Sequence, residues 1–195
     1  MSPLGTLNGI RYIAAFFSNG LTRRAGKAVF TVTHYPTAEG LSSNGWDYTS
    51  NTMVEDGALA DSYTTPGQPC PNVWSNWIMG KFGNLPAPPN PWNLPAGAVV
   101  LTVKVQLKVR CPTAGHRLPV ATSWDGGTNW TTWEILEYPT TLGWVEYDAT
   151  QGHATWTAAE LEALVTRFCS LDAVDDPPGR MDYCDVFKVV VTYEV

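Results

Sequence analysis

The chain has 195 residues, of which 44% are hydrophobic and only 15% are charged, a balance that supports one well-packed domain without obligatory disulfides. No run approaches the roughly 18 apolar residues of a membrane helix, and the apolar run 13–17 lacks the length and flanks of a signal peptide. We therefore expect a protein made in the cytoplasm, with no membrane insertion and no export by the general route. Nine Trp, eight Tyr, 17 Gly and 15 Pro favour a β-rich domain with long loops.

An uneven distribution of charge divides the chain into two segments. Residues 1–38 contain no acidic residue but four basic ones, so they carry +4 of the formal net charge of −6 and leave −10 for the remainder. We predict an N-terminal arm over residues 1–27 and a folded domain over residues 28–195. A basic, apolar arm favours docking on an acidic body, its own or a neighbour's. Nucleic acid is the weaker alternative, because the four charges form no dense run. The arm residues expected to make the contacts are Ile10, Arg11, Tyr12, Ile13, Phe16, Phe17, Arg23 and Arg24.

The clearest predicted element is a long strand over residues 99–110. Its apolar residues alternate with Thr, Lys and Gln, and only Val100 breaks the alternation. A period of two predicts that the apolar side chains share one face and the charged side chains the other. Such a face needs a second layer over it.

Shorter elements are predicted along the rest of the chain. Strands are predicted over 28–35, 73–82, 117–124, 142–147, 165–169 and 183–195, with a hairpin over 117–136 that turns at residues 125–127. A polyproline-like crossing is predicted over 85–95. The one convincing helix is 157–164, because Thr157 and Glu160 form a Thr-x-x-Glu capping box. Together these elements predict an all-β, antiparallel two-sheet sandwich with one short helix.

The order of these segments resembles a known kind of domain. The segments that carry the resemblance are 94–100, 123–130, Trp156-Thr157 with Glu160-Leu161, Arg167 and 189–193. They resemble the jelly-roll β-sandwich modules of bacteriophage virion structural proteins and of bacterial surface or secreted proteins, which are similar in outline to carbohydrate-binding modules. The resemblance covers about 45–195 and implies a jelly-roll fold. It implies no single function, because this fold hosts many.

Candidate catalytic and metal-binding residues find little support in the sequence. His34, His116 and His153 have no spacing typical of a metal site or of a nucleophile–base pair, and Ser123 is not in a nucleophile elbow. The acidic residues near the C-terminus lack calcium-loop spacing, so a solvated loop is expected for Asp172, Asp175, Asp176, Asp182 and Asp185. We predict no catalytic residue, no metal and no cofactor.

The four cysteines, Cys70, Cys111, Cys169 and Cys184, are widely spaced and contain no CxxC motif. This spacing argues against zinc. Buried free thiols are the favoured interpretation. One or two disulfides, formed after release from a reducing cytosol, are the alternative, and the sequence cannot choose among the three full pairings.

Trp124, Trp130 and Trp133 lie on the predicted hairpin, and Trp130 and Trp133 fall on opposite faces if the strand is regular. A role in the core ranks first for them, a subunit interface second and a glycan platform third.

Taken together, the sequence predicts a non-enzymatic structural subunit of a virion, such as a phage decoration, minor capsid or tail protein. It would assemble in the host cytoplasm with copies of itself and with other virion subunits through its arm and sandwich surface. The alternative is a carbohydrate-binding or adhesion module at a cell surface or outside the cell. This module would bind a surface glycan through exposed Trp residues.

Overall fold

The computed structural model describes residues 27–36, 38–39, 46–47, 52, 55–63, 77–81, 92–112, 114–169 and 181–195. These residues form two antiparallel sheets that pack face to face. Across the first sheet the order is β4 (Ala60–Tyr63), β11 (Met181–Glu194), β6 (Val99–Arg110) and β9 (Gly143–Asp148), and across the second it is β5 (Trp77–Lys81), β10 (Val165–Cys169), β7 (Arg117–Ser123) and β8 (Glu134–Glu137). From β4 to β11 the chain changes sheet at every connection except the one between β7 and β8. This is the jelly-roll arrangement of a β-sandwich. The predicted fold class is confirmed.

The strands of the first sheet are β1 (Val29–His34), β3 (Trp46–Asp47), β4 (Ala60–Tyr63), β6 (Val99–Arg110), β9 (Gly143–Asp148) and β11 (Met181–Glu194). Those of the second sheet are β2 (Ala38–Glu39), β5 (Trp77–Lys81), β7 (Arg117–Ser123), β8 (Glu134–Glu137) and β10 (Val165–Cys169). A short 3-10 helix (Ala149–Gln151) and one α-helix, α1 (Ala158–Glu162), follow β9. The capping box of Thr157 and Glu160 is formed at the start of α1.

The core lies between the sheets and is built on the β6–β11 pair. The predicted alternation of β6 is confirmed from Val103 to Val109, where every second side chain is buried. Phe187 on β11 meets Phe168 of the second sheet edge to face, with ring centroids 5.2 Å apart. This contact joins the two layers through two large, fully buried side chains.

The alternation fails at the start of β6. Thr192 pairs with Thr102 and Tyr193 with Val100, so a β-bulge leaves Leu101 without a partner in the ladder. A bulge inserts one residue and reverses which face the following side chains take. Val99 and Leu101 are exposed, and Val100 packs against the core. The prediction that all apolar residues of β6 share one face is therefore wrong at this end.

A second bulge interrupts β11. Cys184 pairs with Val109 and Val186 with Lys108, which leaves Asp185 between them. Asp185 is buried, accepts a hydrogen bond from the Gly57 amide at 3.1 Å and forms an ion pair with Lys108 at 2.8 Å. The bulge thus supplies a buried carboxylate to the first sheet.

The structure contains both buried thiols and a disulfide-bonded cysteine, the two alternatives considered from the sequence. Cys111 and Cys184 are buried thiols that form no disulfide, as favoured from the sequence. Cys169, at the end of β10, is disulfide-bonded. The expectation of free thiols is therefore wrong for Cys169, because a strand predicted from local sequence carries no information on which thiol lies near it.

Strand β1 brings the start of the described domain against the end of the chain. Ala28 and Val195 exchange two backbone hydrogen bonds, of 3.3 and 3.0 Å, and Lys27 forms an ion pair with Glu194. The arm residues predicted from the sequence lie outside the described residues, so the division into arm and domain stays a prediction. In the described part of the chain, no helix is long and apolar enough to cross a membrane.

Candidate functional site

A tryptophan–arginine cluster covers part of the outer face of the second sheet. Phe168 points into the core, so its neighbour Arg167 on β10 points to the opposite face. The Arg167 guanidinium lies 3.7 Å from the ring centroid of Trp130 and 4.6 Å from that of Trp133. Burial lowers the pKa of Arg167 to about 10. The two rings therefore shield a largely buried cation and are held in place by it.

On a regular strand Trp130 and Trp133 would lie on opposite faces, and the structure differs from that expectation. Trp130 and Trp133 meet the same guanidinium because residues 124–133 form an irregular connection and β8 begins only at Glu134. The indole N–H of Trp130 donates to the Gly127 carbonyl at 2.9 Å, which fixes the ring. The hairpin itself is confirmed by the pairing of β7 with β8.

Asp125 organises the same connection. Its carboxylate accepts hydrogen bonds from the Thr128 amide (3.0 Å), from the Asn129 amide (2.7 Å) and from the Ser123 hydroxyl (2.9 Å). Desolvation raises the pKa of Asp125, but these hydrogen bonds outweigh it and the net pKa is lowered. Asp125 and Ser123 are thus turn residues that support Trp130.

Trp124 belongs to a different group. Its ring stacks on His153 with centroids 4.2 Å apart and planes 4° from parallel, and His153 meets Trp156 edge-on at 5.0 Å. The Nε2–H of His153 donates to Glu160 at 3.0 Å. This group lies at the rim of the core, so the structure brings together Trp130 and Trp133 but places Trp124 with other partners.

The outer face of the first sheet presents an aromatic residue that the sequence analysis missed. Trp144 on β9 is 42% exposed, and the Lys188 ammonium lies 4.0 Å above its ring. Its sequence signal was the alternation of β9, in which Trp144 and Glu146 share the face opposite Val145 and Tyr147. The name Trp144 face is used for this surface and its residues, Trp144, Lys188, Glu146, Gln106 and Lys104.

Polar groups on the Trp144 face are held in a hydrogen-bonded row. Glu146 accepts from Lys104 at 2.6 Å and from the Gln106 amide at 2.9 Å. The Gln106 and Lys104 hydrogen bonds lower the pKa of Glu146, and the hydrogen bond and charge of Glu146 raise the pKa of Lys104. A fixed carboxylate, an amide and ammonium groups thus lie beside an exposed indole.

The remaining candidates have other positions. The ring centroid of His34 lies 4.5 Å from that of Trp92 with the planes tilted by 54°, and burial lowers the pKa of His34. Asp182 and Asp185 are buried on β11, so the expectation of a solvated loop is wrong for these two, because β11 begins at Met181. Asp172, Asp175 and Asp176 lie outside the described residues. His116 joins Cys111 and Asp182 in a buried cluster, which wide sequence separation concealed.

Comparisons with known proteins give little guidance. No family model matches the chain, and no curated protein matches it. Among solved structures, the carbohydrate-binding module TmCBM61 in complex with beta-1,4-galactotriose is similar, with a TM-score of 0.36 and 11% identity over 85% of this chain and 88% of that chain. A likeness of this strength transfers no ligand to this protein, and nothing in the comparisons supports a virion subunit.

Proposed function

We propose that the protein is a non-catalytic carbohydrate-binding module whose glycan binds on the Trp144 face. The observation that carries the proposal is an exposed indole beside a row of fixed hydrogen-bonding groups. A pyranose offers an apolar C–H face that packs on an aromatic ring, and hydroxyls that exchange hydrogen bonds with carboxylate, amide and ammonium groups. The Trp144 face offers both kinds of contact on one sheet surface.

Its polar composition favours a sugar over a protein partner. The centres of protein interfaces are depleted of Lys and Glu. Trp144, in contrast, has Lys188 over its ring, Lys108 opposite it in the β6–β9 ladder and Glu146 two residues along β9. Glu146 is already oriented by Lys104 and Gln106, so binding would order few side chains.

The disulfide of Cys169 supports a location at a cell surface or outside the cell, because disulfides persist in oxidising compartments. We place the module there, where surface glycans are its partners.

A polysaccharide panel in affinity electrophoresis, followed by tryptophan fluorescence titration, tests the proposal. We expect one glycan class to retard the protein and Trp144→Ala to weaken binding about tenfold or more, equivalent to about 1.4 kcal/mol. Trp133→Ala is the matched control on the other sheet and is expected to leave affinity unchanged. Loss of binding in Trp133→Ala with retention in Trp144→Ala would move the site to the tryptophan–arginine cluster. No retardation by any glycan would overturn the proposal.

A second candidate, a structural subunit that assembles as virion proteins do, is favoured by one observation. Exposed apolar residues cluster where β1, β6 and β11 meet, next to the start of the described domain: Val29 (60% exposed), Phe30, Val99, Leu101 and Val195. In the described residues β1 pairs only with β11, so it is an edge strand open to addition of another chain.

Light scattering after size exclusion tests this candidate. If arms join the copies, the full chain is an oligomer and a Phe16→Ser/Phe17→Ser variant is a monomer. Ile135→Ser, which removes an exposed apolar residue of β8, is the control and should remain an oligomer. A monomeric full chain would eliminate self-assembly through the arm.

A further inference from the structure

Three residues from distant parts of the sequence meet in the core at one end of the sandwich. Cys111 follows β6, His116 precedes β7 and Asp182 lies on β11. The pairing of Tyr183 with Arg110 aligns Asp182 with Cys111 one residue further along. Two backbone hydrogen bonds join the β6–β7 connection to the segment that follows β8. The Cys111 amide donates to the Pro139 carbonyl (3.0 Å), and the Tyr138 amide donates to the His116 carbonyl (3.1 Å).

The spacing of their donor atoms suits a shared ion. The Nδ1 of His116 lies 3.1 Å from the Oδ1 of Asp182, and a sulfur, a nitrogen and an oxygen donor of the three residues all lie within 4.8 Å of one another. Nitrogen and oxygen ligands of a tetrahedral zinc are about 3.3 Å apart, and sulfur and nitrogen ligands about 3.6 Å apart, given their usual bond lengths. Small side-chain rotations would therefore centre an ion among them.

Burial and charge also support a bound metal ion at this cluster. The three side chains are completely buried, in surroundings where the charge of a bound ion has to be balanced by the charges of its ligands. A divalent cation bound to one thiolate, one carboxylate and one neutral imidazole gives a net charge of zero. Complete burial also separates the Cys111 thiol from any substrate, so a nucleophilic role for this set of residues does not fit.

We propose that Cys111, His116 and Asp182 form a structural zinc site that fastens the β6–β7 connection to β11. Mixed sulfur, nitrogen and oxygen ligands favour zinc over calcium and magnesium, which select oxygen. Three protein ligands leave a fourth position for a water molecule. The site is independent of the Trp144 face, which lies on the outer surface of the first sheet.

Metal analysis of the full chain, purified without chelator or metal-affinity resin, tests the proposal. We expect about one zinc per chain by mass spectrometry, since the site is mononuclear. Cobalt exchange should give a sulfur-to-cobalt charge-transfer band in the near ultraviolet and intense visible bands of a tetrahedral ion. A chelator should lower the melting temperature.

Substitutions assign the metal to these residues. Cys111→Ser, His116→Gln and Asp182→Asn should each reduce the bound metal, and Cys111→Ser should abolish the charge-transfer band. Cys184→Ser is the matched control, because Cys184 is equally buried and free but is not in the cluster. A band that survives Cys111→Ser overturns the assignment. Wild-type protein that binds neither zinc nor cobalt overturns the site itself and identifies the cluster as a hydrogen-bonded one, whatever the variants do.

Discussion

At the scale of single residues, Gly152 is constrained by a neighbour. A Cβ at this position would lie 2.7 Å from both Cβ and Cγ2 of Thr131. Thr131 cannot move freely, because it is buried and its hydroxyl interacts with Tyr147 at 2.6 Å and with the Thr122 amide at 3.0 Å. The backbone of Gly152 (φ −91°, ψ −18°) is open to any residue, so the constraint is one of space.

We therefore expect Gly152→Ala to lower the free energy of unfolding by about 1–3 kcal/mol, as overpacking does. Urea denaturation followed by fluorescence measures the change. Gly143→Ala is the control, because the nearest atoms to its Cβ are at 3.6 Å. Equal stability of the two variants would contradict the steric argument.

Glu160 makes the stability of the N-terminal end of α1 dependent on pH. Burial raises its pKa, but hydrogen bonds from the Thr157 amide and hydroxyl and from His153 outweigh burial, so the net pKa is lowered. A carboxylate with a lowered folded pKa stabilises the protein above its unfolded pKa of about 4.3 and loses that contribution as the pH falls through the folded value.

Glu160→Gln should therefore destabilise the protein at neutral pH and much less in acid below the folded pKa of Glu160, where Glu160 itself is protonated. Urea denaturation at both pH values measures the difference. Thr155→Ala, an exposed change two residues before the cap, should show no such dependence. An equal loss of stability at both pH values for Glu160→Gln would rule out the carboxylate as its source.

At the scale of elements, the bulge at Asp185 combines a break in the ladder with a buried carboxylate. Asp185→Ala leaves the Gly57 amide and Lys108 without this acceptor, and we expect a loss of about 2–3 kcal/mol. Glu55 also pairs with Lys108, at 3.0 Å, but is exposed, so Glu55→Ala should lose less than about 1 kcal/mol. Thermal and urea unfolding of the two variants make the comparison. A larger loss in Glu55→Ala would contradict the importance of burial.

The two bulges also show what the sequence could predict. A period of two located β6 and β11, because alternation is a local property of the chain. It did not predict the reversals of face at Leu101 and Asp185, since a bulge depends on the partner strand; the irregular Val100 was the only local sign.

The grouping of the site residues could not be predicted either, because it depends on contacts between residues that are distant along the chain. Trp130 and Trp133 converge because Arg167 lies on a strand distant in sequence, and in the cluster of Cys111, His116 and Asp182 the first and last residues are 71 positions apart. Neither grouping has a local signature. The exposed Trp144 could have been found, because the alternation of β9 already separates it from the core side chains.

At the scale of the whole molecule, the two buried thiols that form no disulfide report on global unfolding. Cys111 and Cys184 are completely buried, and desolvation raises the pKa of Cys184 far above its usual range. Alkylation requires an accessible thiolate. We expect no modification of either by iodoacetamide in the native protein at about pH 8 and rapid modification of both in urea. Peptide mass spectrometry identifies the sites; rapid labelling of Cys184 under native conditions would indicate local opening of β11.

The backbone hydrogen bonds between Ala28 and Val195 determine how the domain would respond to a pulling force. β1 is antiparallel to β11, and its ladder begins at this pair. A load applied between residues 28 and 195 acts along the hydrogen bonds, which lie perpendicular to the strands, and breaks them one pair at a time. β1 would therefore peel from the sheet at low force, while the β6–β11 ladder behind it remained intact.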